Sequence, residues 1–282
     1  MAENNKQTIA VSSSALIFVG LIIVALVGFG GYMYGKVGTL EKGTTTTTAQ
    51  PATGQQAAAQ QQAQPQVSLD VVKGVFGKNV IKFGDANKKL LLVEVSDPSC
   101  PYCHVAGGDN KDIGAQMGAQ FKSVADGGSY VPPVTEMRKL VDSGKASFAW
   151  IYSPGHGSGI TATKAFYCAF EKGKFWAVHD LIMSSAGYTL MNTTLAKGAN
   201  GGALDDAANQ TLVVDFLKSA IDSKFLKDCL ASNKYDSVLT ENTALATSLG
   251  VQGTPGFFVN STNFAGAYSW TDMKSVADAA LK

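Results

Sequence analysis

The sequence predicts an α/β domain that follows an N-terminal membrane helix and a disordered linker. Three observations support this prediction: a long uncharged apolar run near the start, a low-complexity segment after it, and an apolar strand that leads directly into the motif CPYC. The 282 residues are 45% apolar and 16% charged, so the chain can bury a sizeable core in one or two domains. Its net charge of +1 disfavours nucleic acid as a partner, because phosphate binding requires a basic face.

Residues 1–36 are predicted to form a membrane anchor. No charged residue lies between Lys6 and Lys36, and the apolar run from Ile9 to Tyr34 is longer than the roughly 20 residues that cross a bilayer. A cleaved signal peptide is the weaker alternative, since the apolar core is too long and no A-x-A-like site follows it closely. Lysines flank the run on both sides, so charge alone does not settle the orientation.

Residues 37–67 are predicted to be a linker. The main part, GTTTTTAQPATGQQAAAQQQAQPQ, has no charge and few large apolar residues, so it cannot bury a core. As a flexible coil this part would reach about 25–30 Å, which keeps the folded domain near the membrane. A helix through its alanine and glutamine run is the alternative, and it would change only the reach.

A buried strand and a helix start surround the CPYC motif. The run KKLLLVEVSD, Lys88–Asp97, is nearly continuous in apolar and β-branched residues, as in a strand that is buried on both faces. Pro101 suits the first position of a helix, which places Cys100 at the helix start and Cys103 one turn in. Free backbone N–H groups and the helix dipole then favour a thiolate at Cys100, whereas Cys103 is more sheltered.

Two other roles for this cysteine pair are weaker than a redox role. A structural zinc site requires a second pair at short spacing, but Cys168 and Cys229 stand alone and no histidine pair has ligand spacing. A purely structural bond between Cys100 and Cys103 closes so small a loop that it gains little chain entropy. Four cysteines allow three connectivities, and composition does not choose among them.

A carboxylate and a proline add to the redox interpretation. Glu94 lies in the middle of the apolar strand, where burying its charge is costly without a task or a partner. An edge position would explain it without a function, but beside a redox pair a buried carboxyl can pass a proton to or from Cys103. Near the C-terminus, LGVQGTPGFFVN is typical of a helix end, a glycine-rich loop and a strand, and Thr254–Pro255 is a candidate cis peptide. A plain turn proline is the alternative there.

These motifs, in this order, resemble the DsbA-like thiol-disulfide oxidoreductases of the thioredoxin superfamily. The resemblance rests on FGDANKKLLLVEVSDPSCPYCH, AFYCAFEKGKFWAVHDLIM, GVQGTPGFFVN and the closing SWTDMKSVADAALK. It implies a thioredoxin fold in residues 68–282, with a helical domain inserted at about 155–247. It also implies that Cys100 is the nucleophile, Cys103 the resolving cysteine, and Pro255 a cis residue packed against the pair.

The resemblance assigns further residues. It implies substrate binding by Pro101, Tyr102 and Thr254, since the backbone at the last of these positions pairs with the substrate chain in that family. Cys168 and Cys229 lie in predicted helices of the insert, and we expect a structural disulfide between them, with two free buried cysteines as the alternative. Closing that loop would contribute on the order of 4 kcal/mol in the chain-entropy treatment.

The function that the resemblance implies is disulfide exchange with protein substrates, by a domain that is tethered to the cell membrane and lies outside the cytoplasm. We expect an oxidase, without cofactor or metal, that is reoxidised by a membrane-bound, quinone-linked thiol oxidase. A disulfide isomerase or reductase of the DsbG type is the close alternative, because Pro-Tyr between the cysteines lacks the imidazole of the strongest oxidants. A redox-inert binding or chaperone module is the alternative of another class.

Three features of the sequence receive no catalytic role. Residues 107–133, with glycine pairs at both ends and a proline pair as a stop, are predicted to be an extra loop that breaks the helix after the motif. A surface insertion is favoured over a substrate or partner surface. His104 is predicted to face solvent rather than to tune the cysteines, and Phe175 and Trp176 are assigned to core packing.

Overall fold

A five-stranded mixed sheet forms the centre of the described part of the molecule. The structure, a computed structural model, describes residues 67–282. The predicted anchor and all but the last residue of the predicted linker lie outside the described residues. Among residues 67–282, no helix is both long enough and apolar enough to cross a membrane.

The strand that leads into CPYC lies in the middle of the sheet. In chain order, β1 to β5 span Ile81–Phe83, Leu90–Ser96, Ala146–Tyr152, Gly256–Val259 and Thr262–Ala265. Their order across the sheet is β1-β3-β2-β4-β5. β2 and β3 pair in parallel, and the other neighbouring pairs are antiparallel. β2 therefore has a partner strand on each side.

Both faces of β2 are buried, as its apolar run predicted. Leu90 and Leu92 face the larger core cluster, which includes both cysteines of the CPYC motif. Leu91 and Val93 face the smaller cluster on the other side of the sheet. Because successive side chains of a strand point to opposite faces, Glu94 lies on the face of the cysteines.

The helices complete a thioredoxin-like fold with a helical insertion. In chain order, α1 to α11 span Leu69–Val75, Pro101–Gly107, Lys111–Met117, Pro133–Asp142, Ile160–Glu171, Phe175–Ile182, Ser185–Thr189, Ala207–Leu217, Ser223–Ala231, Asp236–Ser248 and Trp270–Leu281. Helices α5 to α10 all lie between β3 and β4 in the chain, as a helical insertion. The α/β fold with an inserted helical domain is confirmed.

Aromatic side chains join the insert to the sheet. Trp150 of β3 makes an edge contact with Phe166 of α5, with ring centroids 5.4 Å apart. Phe175 of α6 lies 5.4 Å from Phe166, and Trp176 lies 5.6 Å from Phe148 of β3. Such pairs contribute about 0.5–1.5 kcal/mol each beyond the area that they bury. The two aromatic residues of α6 therefore serve packing.

A disulfide joins two helices of the insert. Cys168 of α5 and Cys229 of α9 have their Cα atoms 6.1 Å apart and are separated by 61 positions in the sequence. Both residues are buried. Because the bond closes a long loop, it restricts the unfolded chain strongly in the chain-entropy treatment.

The segment 107–133 is partly helical, whereas the sequence predicted a loop. The helix after the motif does break, because Gly108 has a φ of 88° and a Cβ there would lie 2.7 Å from Pro132. Asn110 then caps α3 by accepting a hydrogen bond from the N–H of Ile113. Two 3-10 turns follow at Ala119–Phe121 and Val124–Asp126. An N-cap residue at the right position thus starts a new helix despite the neighbouring glycines.

Candidate active site

The turn between β2 and α2 places both cysteines of the motif. Cys100 is the N-cap residue of α2, and Pro101 occupies the first helical position, as the sequence predicted. The N–H of Cys100 donates to the carbonyl of Asp97 at 3.0 Å, which fixes the turn. Cys103 lies in the first turn of the helix and is completely buried.

Cys100 carries the more acidic thiol of the pair. Only 3% of its surface is exposed, and its Sγ lies 3.3 Å from the carbonyl oxygen of Thr254. A hydrogen bond from the thiol of Cys103 lowers the pKa of Cys100 to about 6, and Thr254 and backbone N–H groups at the helix start act in the same direction against the effect of burial. At neutral pH, Cys100 is therefore mainly a thiolate, which is the form that attacks disulfides.

Cys103 shows the opposite behaviour. Burial raises the pKa of its thiol well above the ordinary value, and the neighbouring Cys100 raises it further. The N–H of Asp97 donates to the Sγ of Cys103 at 3.5 Å. Cys103 therefore stays protonated beside the Cys100 thiolate, and the two sulfur atoms are chemically distinct.

A cis-proline loop from the C-terminal part of the fold faces the cysteine pair. The Thr254–Pro255 peptide bond is cis, and β4 begins at the next residue. The carbonyl of Thr254 is the group that contacts the Sγ of Cys100, although 154 positions separate the two residues in the sequence. The fold thus brings together the two segments that the resemblance assigned to catalysis and substrate binding.

Glu94 is buried on the central strand, so an edge position does not explain it. It is only 1% exposed, and neither carboxylate oxygen has a partner at ordinary hydrogen-bond distance among residues 67–282. Burial raises its pKa to about 6, against the opposing effects of the charge of His179 and the nearby side chain of Ser96. No hydrogen bond links Glu94 to Cys103 within residues 67–282.

Tyr102 is the exposed residue of the motif. It is 41% exposed, and its ring makes an edge contact with Phe121, with centroids 5.7 Å apart. Phe121 belongs to the segment 107–133 and also contacts the ring of Tyr130. The segment therefore extends the surface around the residues that the resemblance assigned to substrate binding.

His104 is completely buried, so the prediction that it faces solvent is wrong. Its Nε2 lies 2.7 Å from the carbonyl oxygen of Pro98, and its Nδ1 lies 2.9 Å from that of Met183. Burial lowers its pKa to about 4. The end of α6 and the ring of Tyr188 cover this side of α2. A helix of seven residues is too short for periodicity to show which face is covered.

Sequence patterns alone did not single out Asp97, although it lies beside both cysteines. Its carboxylate is fully buried and accepts hydrogen bonds from Ser99, Gly155 and His156. One signal for it was present in the sequence, because an aspartate often bonds the backbone two residues further on. The hydrogen bond from the N–H of Ser99 has this form.

Three solved structures are similar to this chain. The crystal structure of alpha-DsbA1 from Wolbachia pipientis is 17% identical, covers 72% of this chain and 91% of its own, and has a TM-score of 0.51. A thioredoxin-like oxidoreductase from Silicibacter pomeroyi DSS-3 is 20% identical, with 74% of this chain and 96% of that chain covered and a TM-score of 0.49. Oxidised BdbD from Bacillus subtilis is 19% identical, with 72% and 92% covered and a TM-score of 0.48. At 17% identity, the likeness to alpha-DsbA1 shows the fold alone.

A curated relative is matched over part of its own length. The Na(+)/H(+) antiporter NhaA 3 from Salinispora tropica is 23% identical over 189 residues, which are 66% of this chain and 22% of that protein. This chain therefore spans about a fifth of the length of that relative.

The fold and the two inequivalent cysteines define a class of protein, the thioredoxin-fold proteins that carry a CXXC cysteine pair at a helix start. The family model described as Thioredoxin matches residues 135–279, just over half of the chain. The chain belongs to the thioredoxin family. The CPYC motif precedes the matched range, so the reactive pair adds evidence that is independent of the match.

Proposed function

We propose that the chain is a membrane-tethered, extracytoplasmic protein thiol-disulfide oxidase that forms disulfides in secreted proteins. The observation that carries this proposal is the difference between the two thiols of CPYC. The pKa of Cys100 is lowered to about 6, whereas burial raises that of Cys103. A stabilised Cys100 thiolate favours the reduced pair over its disulfide, and this difference drives transfer of the disulfide to a substrate.

The reaction starts from a disulfide between Cys100 and Cys103. A substrate thiolate attacks the Sγ of Cys100, a mixed disulfide forms, and Cys103 leaves as a thiolate that takes up a proton. A second substrate thiolate then attacks the substrate sulfur of the mixed disulfide and releases Cys100 as a thiolate. Two electrons pass from the substrate dithiol to the cysteine pair, and the substrate retains the new disulfide.

We assign to Glu94 the proton transfer at Cys103. Its pKa of about 6 keeps a fraction of the carboxyl groups protonated near neutral pH. A group with a pKa near the working pH can both donate and accept a proton, as the forward and return reactions require. Its burial on the face of the cysteines supports this role.

The substrate chain is proposed to lie along the cis-proline loop. Thr254 presents its backbone beside the Sγ of Cys100. An extended peptide that pairs with this backbone would place its own cysteine next to the reactive sulfur. Recognition through main-chain hydrogen bonds tolerates many substrate sequences. Pro101 and Tyr102 would add contacts from the motif itself, and the exposed ring of Tyr102 supports this.

The reoxidising partner is proposed to be a membrane-bound, quinone-linked thiol oxidase. The predicted anchor in residues 1–36 would raise the local concentration of such a partner. Topology can be tested with a membrane-impermeant thiol reagent on intact cells. Labelling of reduced Cys100 in intact cells supports an extracytoplasmic site, and labelling only after lysis contradicts it.

The redox midpoint of the CPYC pair decides between the oxidase and an isomerase or reductase of the DsbG type. Thr254 favours the second candidate, because threonine precedes the cis-proline in the DsbG-like proteins. The full chain in detergent would be equilibrated in glutathione buffers, and the reduced fraction read by thiol trapping. A midpoint above about −180 mV supports disulfide donation. A midpoint below about −220 mV contradicts the oxidase and indicates a pair that is kept reduced.

A further inference from the structure

Asp97 is a buried carboxylate that forms no ion pair with a described residue. Its Oδ1 accepts hydrogen bonds from the N–H and the hydroxyl of Ser99 at 2.8 and 2.7 Å. Its Oδ2 accepts hydrogen bonds from the N–H groups of Gly155 and His156 at 2.6 and 2.8 Å. Four donors therefore surround one buried anion and replace the water that would otherwise solvate it.

The two oxygens of Asp97 hold two different segments of the chain. Oδ1 shapes the turn that leads into Cys100, whose own N–H donates to the Asp97 carbonyl. Oδ2 holds residues 153–159, which connect β3 to α5 and are named the β3–α5 loop. The N–H of Ser158 in this loop also donates to the hydroxyl of Ser99 at 3.3 Å. One side chain thus ties the redox turn to the start of the helical insert.

The β3–α5 loop lies against the reactive cysteine. A Cβ on Gly155 would be 3.5 Å from the Cβ of Cys100 and 2.2 Å from the Oγ1 of Thr254. A Cβ on Gly159 would be 2.1 Å from the Oδ1 of Asp97. The absence of a side chain at both glycines is what allows the loop backbone to approach so closely. The backbone of the loop is therefore one wall of the space around Cys100 and Thr254.

We propose that Asp97 is a positioning residue for disulfide exchange, which fixes the β3–α5 loop as a wall of the substrate cleft beside Cys100. The proposal rests on the proposed function, since it concerns the same site. A fixed wall limits the directions from which a thiolate reaches the Sγ of Cys100. A peptide that is held at Thr254 therefore attacks Cys100 faster when the wall is fixed. A small thiol does not bind to the cleft, so its rate of attack does not depend on the wall.

The test compares a peptide thiol with a small thiol. The oxidised full chain in detergent is mixed either with a synthetic peptide that contains one cysteine or with 2-mercaptoethanol. Mass spectrometry after acid quenching follows the mixed disulfide at Cys100. In Asp97→Ala the ratio of the peptide rate constant to the small-thiol rate constant should fall at least about tenfold, because hydrogen bonds to a charged acceptor are lost. A change in redox potential or in global stability affects both rates and cancels in the ratio.

Two further variants make the result specific. Asp97→Asn keeps the shape of the side chain, and its amide oxygen can still accept the N–H groups of Gly155 and His156, whereas its NH2 group faces the N–H of Ser99 and loses that hydrogen bond. Because the contacts to the β3–α5 loop are kept, this variant should recover part of the peptide preference. Asp222→Ala removes the capping carboxylate of α9 in the insert, and it should leave the ratio unchanged.

A folded Asp97→Ala chain with the wild-type ratio overturns the proposal. If that variant does not fold, hydrogen exchange in the wild-type chain decides. The amides of Gly155 and His156 should exchange much more slowly than that of Gly157, whose N–H has no acceptor among the described residues, and equal rates overturn the proposal. Failure of the proposed function gives a different result, because the wild-type chain then forms no mixed disulfide with either thiol. In that case hydrogen exchange still tests whether Asp97 fixes the β3–α5 loop.

Discussion

The two cysteine pairs of this chain differ in state, although all four residues are buried. Cys100 and Cys103 are free thiols with two residues between them. Cys168 and Cys229 form a disulfide across 61 positions of sequence. Burial alone therefore does not decide which pair takes part in exchange.

The polar surroundings of the sulfur atoms account for the difference. Cys100 stands at a helix start, where backbone N–H groups are free to stabilise a thiolate, and the Thr254 side chain and the Cys103 thiol act in the same direction. Cys168 and Cys229 lie within α5 and α9, where the backbone N–H groups are used in the hydrogen bonds of the helix. The neighbouring side chains are apolar. A reactive pair thus needs asymmetric polar contacts, and a structural pair needs only packing.

The largest expected effect is the loss of disulfide transfer when the CPYC pair, but not the structural pair, is changed. Cys100→Ser removes the sulfur at which the mixed disulfide forms, so disulfide transfer to a reduced substrate protein should fall to the uncatalysed rate. The loss of free thiols in the substrate measures this transfer. The matched control, Cys168→Ser with Cys229→Ser, should retain the rate of the wild type. Transfer that persists without Cys100 would place the reaction elsewhere.

The second pair is expected to act on stability instead. Cys168→Ala with Cys229→Ala should lower the free energy of unfolding by about 4 kcal/mol, because the long loop is no longer closed in the unfolded chain. Urea denaturation of the oxidised proteins measures the difference. The redox midpoint of the CPYC pair should not move. A shifted midpoint would show that the structural disulfide influences the CPYC pair. That result would contradict the separation of roles between the two pairs.

Removal of the buried carboxyl tests its role in exchange. Glu94→Gln keeps the shape of the side chain but cannot release a proton, so the rate of disulfide transfer should fall at least about tenfold. Stopped-flow measurement of the transfer to a peptide dithiol gives this rate. Glu241→Gln is the control, since Glu241 is exposed and, among residues 67–282, its carboxylate accepts a hydrogen bond from the side chain of Asn79 alone. An unchanged rate in Glu94→Gln would exclude the carboxyl from proton transfer.

The same substitution should stabilise the fold in a pH-dependent way. Burial raises the pKa of Glu94 from 4.5 to about 6, so the folded chain loses stability as pH rises through this range. At pH 7, Glu94→Gln should therefore unfold with a free energy about 2 kcal/mol higher than the wild type, and the gain should vanish at pH 4. Denaturation at the two pH values measures it. An equal gain at both would contradict a charge-burial origin.

The smallest expected effect concerns the acidity of Cys100. The hydrogen bond from Cys103 is the largest cause of its lowered pKa, so Cys103→Ala should raise that pKa from about 6 toward the ordinary value of a thiol. The rate of alkylation by iodoacetamide, followed against pH, reports the thiolate fraction. In the reduced wild type this rate should fall below an inflection near pH 6. An inflection that stays there in the variant would assign the effect to the helix start instead.

Local patterns predicted the parts of the site that depend on neighbouring residues. The apolar run predicted β2, Pro101 predicted the helix start, and Thr254–Pro255 was recognisable as a candidate cis peptide. The burial of His104 depends on Met183, 79 positions away, and the loop held by Asp97 is 58 positions from it. Such tertiary contacts leave no periodic or spacing signal, so sequence reasoning placed His104 wrongly and did not select Asp97. The anchor and the linker stay predictions.

The most direct test of the central claim is to trap the exchange intermediate. In the full chain with Cys103→Ala, the Cys100 thiolate attacks a disulfide of an oxidised substrate, forms the mixed disulfide and releases the other substrate sulfur as a thiolate. No thiol at position 103 is present to resolve this bond, so substrates should stay bound to Cys100. After acid quenching, mass spectrometry of non-reduced complexes would identify the linked proteins. We predict reductant-sensitive adducts on Cys100 that are absent when Cys100→Ala is added. A folded Cys103→Ala chain without any adduct would contradict disulfide exchange and favour a redox-inert binding module.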